Sequence, residues 1–168
     1  MIRTTFILGG MRSGKSAYAE RLAEQSGLRK LYVATAEALD AEMGDRIAAH
    51  RQRRGDAWQT IEEPIHIDTI IGQHGDACIL IDCLTLWLSN LLHCGLDVAQ
   101  HTNHLLTALT SARAQVILVS NETGFGVMPD NALARQFCDH AGVLHQRVAA
   151  AADRVVWIAA GIPTVIKG

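Results

Sequence analysis

The chain has 168 residues, 15 of them Lys or Arg and 17 Asp or Glu, for a formal net charge of −2; no global field draws it to nucleic acid or to an anionic membrane, and any basic site must be local. That length suits one domain, residues 1–168, able to bury about two-thirds of its unfolded surface without staples. Four cysteines, Cys78, Cys83, Cys94 and Cys138, show neither a C-x-x-C pair nor metal-ligand spacing with histidine, so a reduced, cytoplasmic chain is expected.

Thr4 to Leu8 reads as a buried strand, starting too early to leave room for a signal peptide, and no apolar run is long enough to span a bilayer. It runs into Gly9-Gly10-Met11-Arg12-Ser13-Gly14-Lys15-Ser16, which matches the G-x-x-x-x-G-K-[ST] phosphate-binding pattern in full. Glycines at both ends let the backbone curl closely around a polyphosphate, with successive N–H groups turned toward the anion. Lys15 would supply a point charge for the β- and γ-phosphates and Ser16 a hydroxyl for Mg²⁺. The helix that follows, through Ala17, Ala19, Leu22 and Ala23, aims its positive end at the same place. Strand, loop and helix are the context the motif requires, so nucleotide binding is the first expectation.

Lys30 to Thr35 reads as a second buried strand, with Thr35, Ala36 and Glu37 at its carboxyl end. Ligands bind at the carboxyl ends of strands in open α/β sheets, so this turn either borders the nucleotide or is an ordinary strand-to-helix connection. Asp40 can cap a helix to about Arg54 that carries Met43, Ile47 and His50 on one face. By pattern alone His50 extends an apolar stripe, as a packed core histidine does. Arg46, Arg51, Arg53 and Arg54 around it suit a triphosphate better, and such cations favour a neutral, nucleophilic imidazole.

Trp58 to Glu62 reads as a short strand and Ile65 to Ile71 as a helix, while Glu62 and Glu63 before Pro64 also fit a solvated turn. Asp76 to Asp82 is an apolar strand that delivers a carboxylate at its carboxyl end, as a Walker B element does. Asp82 is therefore predicted to join Ser16 at the metal, in preference to acting as a helix cap. Leu84 to Leu92 is apolar around so much of its circumference that wide burial is required, part of it against another subunit. Val98 to Arg113 reads as an amphipathic helix in which His101 and His104 belong to a solvated face.

Ala114 to Ser120 is a further strand, followed by a polar segment from Asn121 to Gly126 that could cover a site. Pro129 and Asp130 are expected to open a long helix striped by Leu133, Phe137, Ala141, Leu144 and Val148, and Asp153 to Ala160 to form the last strand. No linker or repeat interrupts the chain, which makes it α/β throughout.

These pieces together resemble the bifunctional adenosylcobinamide kinase / adenosylcobinamide-phosphate guanylyltransferase family of cobalamin biosynthesis. The resemblance rests on the phosphate loop, Ala34-Thr35-Ala36, Asp40-x-Glu42-Met43 leading to Arg46-Ile47-x-x-His50, and Trp58-x-Thr60-x-Glu62. It continues through Asp82-Cys83-Leu84-Thr85, Asn121-Glu122-Thr123-Gly124-x-Gly126, Pro129 and Arg135 to Ala149. It implies a RecA-like P-loop NTPase fold, with a mostly parallel central sheet flanked by helices, and a homo-oligomer, a trimer. The activity implied is phosphorylation of the adenosylcobinamide hydroxyl by ATP or GTP with Mg²⁺. Transfer of GMP from GTP to adenosylcobinamide phosphate follows, through a guanylylated histidine, and releases pyrophosphate.

Residue by residue, the resemblance makes His50 that histidine, the phosphate loop and Asp82 the nucleotide and Mg²⁺ contacts, and Glu62 with Arg51, Arg53 and Arg54 neighbours of the guanine nucleotide. Asp82 stands where the family also uses Glu, and His145 where Asn is expected. Neutral His50 would attack the α-phosphorus of GTP while Lys15 and the loop amides receive the pyrophosphate charge. Glu122 and Asp82 are both candidates for a base in the kinase step. Two other classes fit the phosphate loop: a monofunctional small-molecule kinase with a structural His50, and a nucleotide-binding switch without catalysis.

Overall fold

A computed structural model describes residues 2–36 and 57–168. In chain order these form β1 (Thr4–Gly9), α1 (Lys15–Glu24), β2 (Arg29–Ala34), β3 (Trp58–Glu62), α2 (Ile67–Gln73), β4 (Ala77–Asp82) and α3 (Leu84–His93). They continue with α4 (Val98–Ser111), β5 (Gln115–Asn121), α5 (Ala132–Ala151), β6 (Arg154–Ala159) and β7 (Ile162–Lys167). The helix expected from Asp40 to about Arg54 lies outside the described residues.

All the strands join one seven-stranded sheet in the order β3-β2-β4-β5-β1-β6-β7. Every pairing is parallel except the one between β6 and β7. The inner strands are apolar at nearly every position because both faces are covered. Phe6, Leu8, Leu31, Val33, Ile79, Ile81, Val116 and Leu118 face one core with residues of α2 to α5. Their neighbours Ile7, Tyr32, Leu80, Ile117, Val119, Val156 and Ile158 face the other with Ala19 and Ala23 of α1. This alternation is the period-two geometry of a strand.

Register brings the functional ends together. Gly9 pairs with Asn121 of β5 and with Ile158 of β6, while Ala34 pairs with Asp82 and with Glu62. The carboxyl ends of six parallel strands thus share one edge, where the fold exposes backbone groups that no helix covers.

The structure departs from the expected elements in four places. The segment after Ala159 turns through Ala160 and Gly161, both at positive φ, and returns as β7, so Asp153 to Ala160 is not the last strand. Pro163 masks β7 in the sequence because it cannot donate to a ladder, and an edge position is where a sheet tolerates it. The long helix begins at Ala132, not at Pro129, because Asn131 caps it by accepting the N–H of Ala134 at 2.7 Å. Leu133 drops out of its buried stripe and is 71% exposed. Before α2, the Glu63 carboxylate accepts the N–H groups of Ile65 and His66, which delays the helix to Ile67.

Helix α3 is as buried as its composition requires, but by its own chain. Leu84, Trp87, Leu88 and Leu91 all enter the first core, and the Trp87 indole donates to Ile65 O at 2.7 Å. Leu86 and Leu92 of the same helix are half-buried. Among the described residues no helix is long and apolar enough to cross a membrane.

Candidate active site

The loop between β1 and α1 is shaped by close backbone approach. A Cβ at Gly9 would lie 2.4 Å from Ile158 O and 2.8 Å from Ser13 Oγ, and Gly14 sits at φ 99° directly before the first turn of α1. Neither position accepts a side chain without moving backbone. Across the loop, Gly161 donates its N–H to Ser13 O at 2.8 Å, tying the β6–β7 turn to the phosphate loop.

Lys15 is 7% exposed, and its Nζ donates to Gly10 O at 2.6 Å. Burial pulls the ammonium below its ordinary pKa, and the nearby Asp82 carboxylate opposes that shift. Ser16 Oγ donates to Asp82 Oδ2 at 2.7 Å, and the Tyr32 hydroxyl donates to the same oxygen at 3.2 Å. Strand spacing puts β4 about 10 Å from β1, and it is the start of α1 that closes this gap by carrying Ser16 back to Asp82. The result is an ammonium, a hydroxyl and a carboxylate at the mouth of one glycine-framed loop. A second loop atom is left waiting: Ser13 Oγ is buried without a hydrogen-bond partner among the described residues. Such an orphan costs about 1–3 kcal/mol unless a ligand oxygen meets it.

Ser16 and Asp82 offer a hard cation an alcohol and a carboxylate oxygen, the few oxygen ligands from protein that Mg²⁺ takes beside water and phosphate. The donor set fits that ion. Among the described residues no three His, Cys, Asp or Glu side chains gather as a dedicated metal cage. His66, His101 and His104 do line up, with ring centroids 6.0 and 6.1 Å apart, but as ring contacts.

The remaining expected residues fall at other places on the same edge. Thr35 is fully buried; its Oγ1 donates to Cys83 O and accepts from Cys83 N, both at 2.8 Å, while Asn90 Nδ2 donates to Thr35 O. Its hydroxyl therefore clamps the end of β2 to the β4–α3 junction. Ala36 follows it, half-buried. Glu62 ends β3, which three strands separate from β1, so it lies about 19 Å from the phosphate loop. Met11 and Arg12 form the outer turn of the loop, both exposed, with Arg12 at φ 55°. Glu37, Arg46, His50, Arg51, Arg53 and Arg54 lie outside the described residues.

Cys78, within β4, and Cys83, directly after it, are buried thiols. Burial and the adjacent Asp82 push Cys83 up to about 11, so it stays protonated.

Sequence reasoning did not single out Tyr32, whose signal was a phenol inside an otherwise apolar strand: a buried tyrosine hydroxyl needs a partner. It also gave His145 no role. His145 is 7% exposed, with Nε2 2.8 Å from Ser120 Oγ and Nδ1 3.8 Å from Glu122 Oε2. Burial lowers its pKa, against a smaller opposing effect of Glu122.

Residues 5–166 match the family described as cobinamide kinase / cobinamide phosphate guanyltransferase. The chain is 50% identical over 168 residues to the bifunctional adenosylcobalamin biosynthesis protein CobP of Pseudomonas aeruginosa, an alignment that covers 96% of each. It is 38% identical over 180 residues to the bifunctional adenosylcobalamin biosynthesis protein CobU of Escherichia coli, covering 96% of this chain and 98% of that one. Among solved structures it is similar to the flagellar accessory protein FlaH of Methanocaldococcus jannaschii, with TM-score 0.54, 12% identity, and 98% and 78% of the two chains covered. It is also similar to the P4 protein of bacteriophage phi6 in complex with ADP, with TM-score 0.51, 17% identity, and 97% and 53% covered. At such identities the structural likeness establishes the fold, an α/β P-loop NTPase with a mostly parallel sheet, and nothing finer.

Proposed function

The chain belongs to the cobinamide kinase / cobinamide phosphate guanyltransferase family, and from that membership we propose how residues 1–168, taken as one domain, perform both reactions at the phosphate loop. The enzyme phosphorylates adenosylcobinamide with ATP or GTP, then transfers GMP from GTP to adenosylcobinamide phosphate, giving adenosylcobinamide-GDP and pyrophosphate. The observation that carries this reading is the convergence of Lys15 Nζ, Ser16 Oγ and Asp82 Oδ2 on the mouth of the Gly9–Gly14 loop. All three act on phosphate charge, and both reactions cleave a bond within a triphosphate.

In the kinase step the loop amides and Lys15 hold the β- and γ-phosphates while the hydroxyl of cobinamide attacks in line, so the protein's part is positioning and electrostatics. Ser13 Oγ gains a phosphate oxygen as its missing partner. Ser16 and Asp82 would hold Mg²⁺, which would supply neutralisation of the phosphate charge. In the guanylyl step neutral His50 attacks the α-phosphorus, the bond to the β-phosphate oxygen breaks, and pyrophosphate leaves into the cradle that Lys15 lines. Adenosylcobinamide phosphate then displaces His50 from the guanylyl group. Gly9, Gly10, Met11, Arg12, Ser13 and Gly14 surround the phosphates in this scheme, with Ala36, Glu37, Arg51, Arg53, Arg54 and Glu62 toward the nucleoside and Thr35 supporting their turn from within through Cys83.

Cytoplasmic location and a trimer are part of the same proposal. Free thiols at all four cysteines suit a reducing compartment. Exposed Ile162, Val165 and Ile166 on edge strand β7 are what a second copy would cover.

Incubation with Mg²⁺ and GTP labelled at the α- or the γ-phosphate, followed by denaturation and mapping of bound label, tests the scheme. An acid-labile, base-stable α-label on His50 supports it. Absence of label from both positions, with nucleotide still bound reversibly, overturns the guanylyl-histidine.

A further inference from the structure

Strand β5 lies between the phosphate-loop strand and the Asp82 strand, and its carboxyl end carries a carboxylate that the scheme above leaves idle. Glu122 donates its N–H to Gly9 O at 3.0 Å, which fixes its backbone to the first residue of the phosphate loop. Its Oε1 accepts the N–H of Gly124 at 2.6 Å. Its Oε2 faces His145 Nδ1 at 3.8 Å, ion-pair rather than hydrogen-bond range.

His145 is itself held from behind. Asn121 N donates to Thr85 Oγ1 at 2.8 Å, Thr85 Oγ1 lies 3.0 Å from Ser120 Oγ, and Ser120 Oγ lies 2.8 Å from His145 Nε2. Thr85 accepts from Asn121 N, and the order in which Thr85 donates to Ser120 and Ser120 to Nε2 is assigned from that bond. That order leaves the proton of the neutral ring on Nδ1, turned toward Glu122. Three elements, α3, β5 and α5, thus cooperate to orient one imidazole at one carboxylate. The Gly124 turn alone would not need them.

We propose that Glu122 accepts the proton of the cobinamide hydroxyl in the kinase step, and that His145 is a positioning residue that keeps the carboxylate beside the phosphate loop. The proposal rests on the kinase reading. As the hydroxyl oxygen bonds to the γ-phosphorus, its proton passes to Glu122, the bond from the γ-phosphorus to the bridging oxygen breaks, and the electron pair leaves on the nucleoside diphosphate held by Lys15. Glu122 later returns the proton to water. Among the described residues, the titratable group that faces Glu122 is His145 on α5.

The test measures adenosylcobinamide phosphorylation and GMP transfer to preformed adenosylcobinamide phosphate separately, with thermal unfolding as the check on fold. E122Q is expected to lower the ratio of kinase to guanylyl-transfer rate by about 10²–10⁴-fold. H145L is expected to lower kinase kcat by about 10–100-fold through misplacement, with KM for nucleotide unmoved. H145N, whose amide nitrogen occupies the place of Nδ1, should recover most of that loss. An E122Q kinase kcat within about threefold of wild type, or an equal fall in both reactions, overturns the role of Glu122; an H145N as impaired as H145L overturns that of His145. Wild-type protein that transfers GMP but never phosphorylates the hydroxyl overturns the kinase reading itself.

Discussion

Ser16 Oγ stands 2.7 Å from Asp82 Oδ2, although one residue opens a helix and the other closes a strand two places away in the sheet. A cation entering between them would exchange that hydrogen bond for two oxygen ligands. Ser16→Ala and Asp82→Asn should each lower kcat of both half-reactions by about 10²–10³-fold, and should raise the Mg²⁺ concentration needed for half-maximal rate. Chelation with EDTA should stop both reactions in the wild type. A Mg²⁺ titration of each variant reads the shift directly.

Gly9→Ala presses a methyl group against Ile158 O, a backbone atom of the neighbouring strand that cannot rotate away. Overpacking of this kind costs about 1–3 kcal/mol. The phosphate loop should open to relieve it, so nucleotide affinity is expected to fall at least about tenfold alongside stability. Urea unfolding and a fluorescent-nucleotide titration measure the two effects on one sample.

Thr35 closes a reciprocal pair of hydrogen bonds with the backbone of Cys83. Thr35→Val keeps the shape and strands the buried Cys83 N–H, while Cys83 O keeps the N–H of Trp87 at 3.1 Å, for a loss of about 1–3 kcal/mol. Thr35→Ser keeps the hydroxyl and should regain most of it. The shift of the denaturant midpoint at constant slope decides the outcome.

His145 makes stability depend on pH. Burial sets its folded pKa below the ordinary value of 6.5, so below that pH the unfolded chain binds a proton that the folded chain refuses. Stability is therefore full above about pH 6.5 and falls with acidification until the folded pKa is passed. Wild type should lose more stability than H145N between pH 7.5 and pH 5.5, a window chosen around about 6.5, as read by urea midpoints.

The phosphate loop and Asp82 were legible in the sequence because each is a local pattern: glycines at fixed offsets, and an apolar strand ending in a carboxylate. Elements failed where a distant partner decides the outcome. β7 is held by its pairing with β6, and Pro163 within it is a residue that weakens any local strand signal. Leu133 fits its helical stripe by spacing, yet lies in the first turn of α5, short of any covering strand. His145 is the clearest case, because nothing in residues 132–151 announces that one position meets Ser120 and Glu122 from another element. Tyr32 was hidden for the same reason, its acceptor being 50 residues away.

The order of the strands also dictates a timetable during synthesis. β1 is the first strand to leave the ribosome, yet its partners β5 and β6 are residues 115–121 and 154–159. At about 5–20 residues per second, the nascent chain carries a finished phosphate-loop sequence for roughly 8–30 s before Ile158 arrives to flank Gly9. Through that interval β2, β3 and β4 have one another to pair with, whereas β1 lacks at least one of its two neighbours.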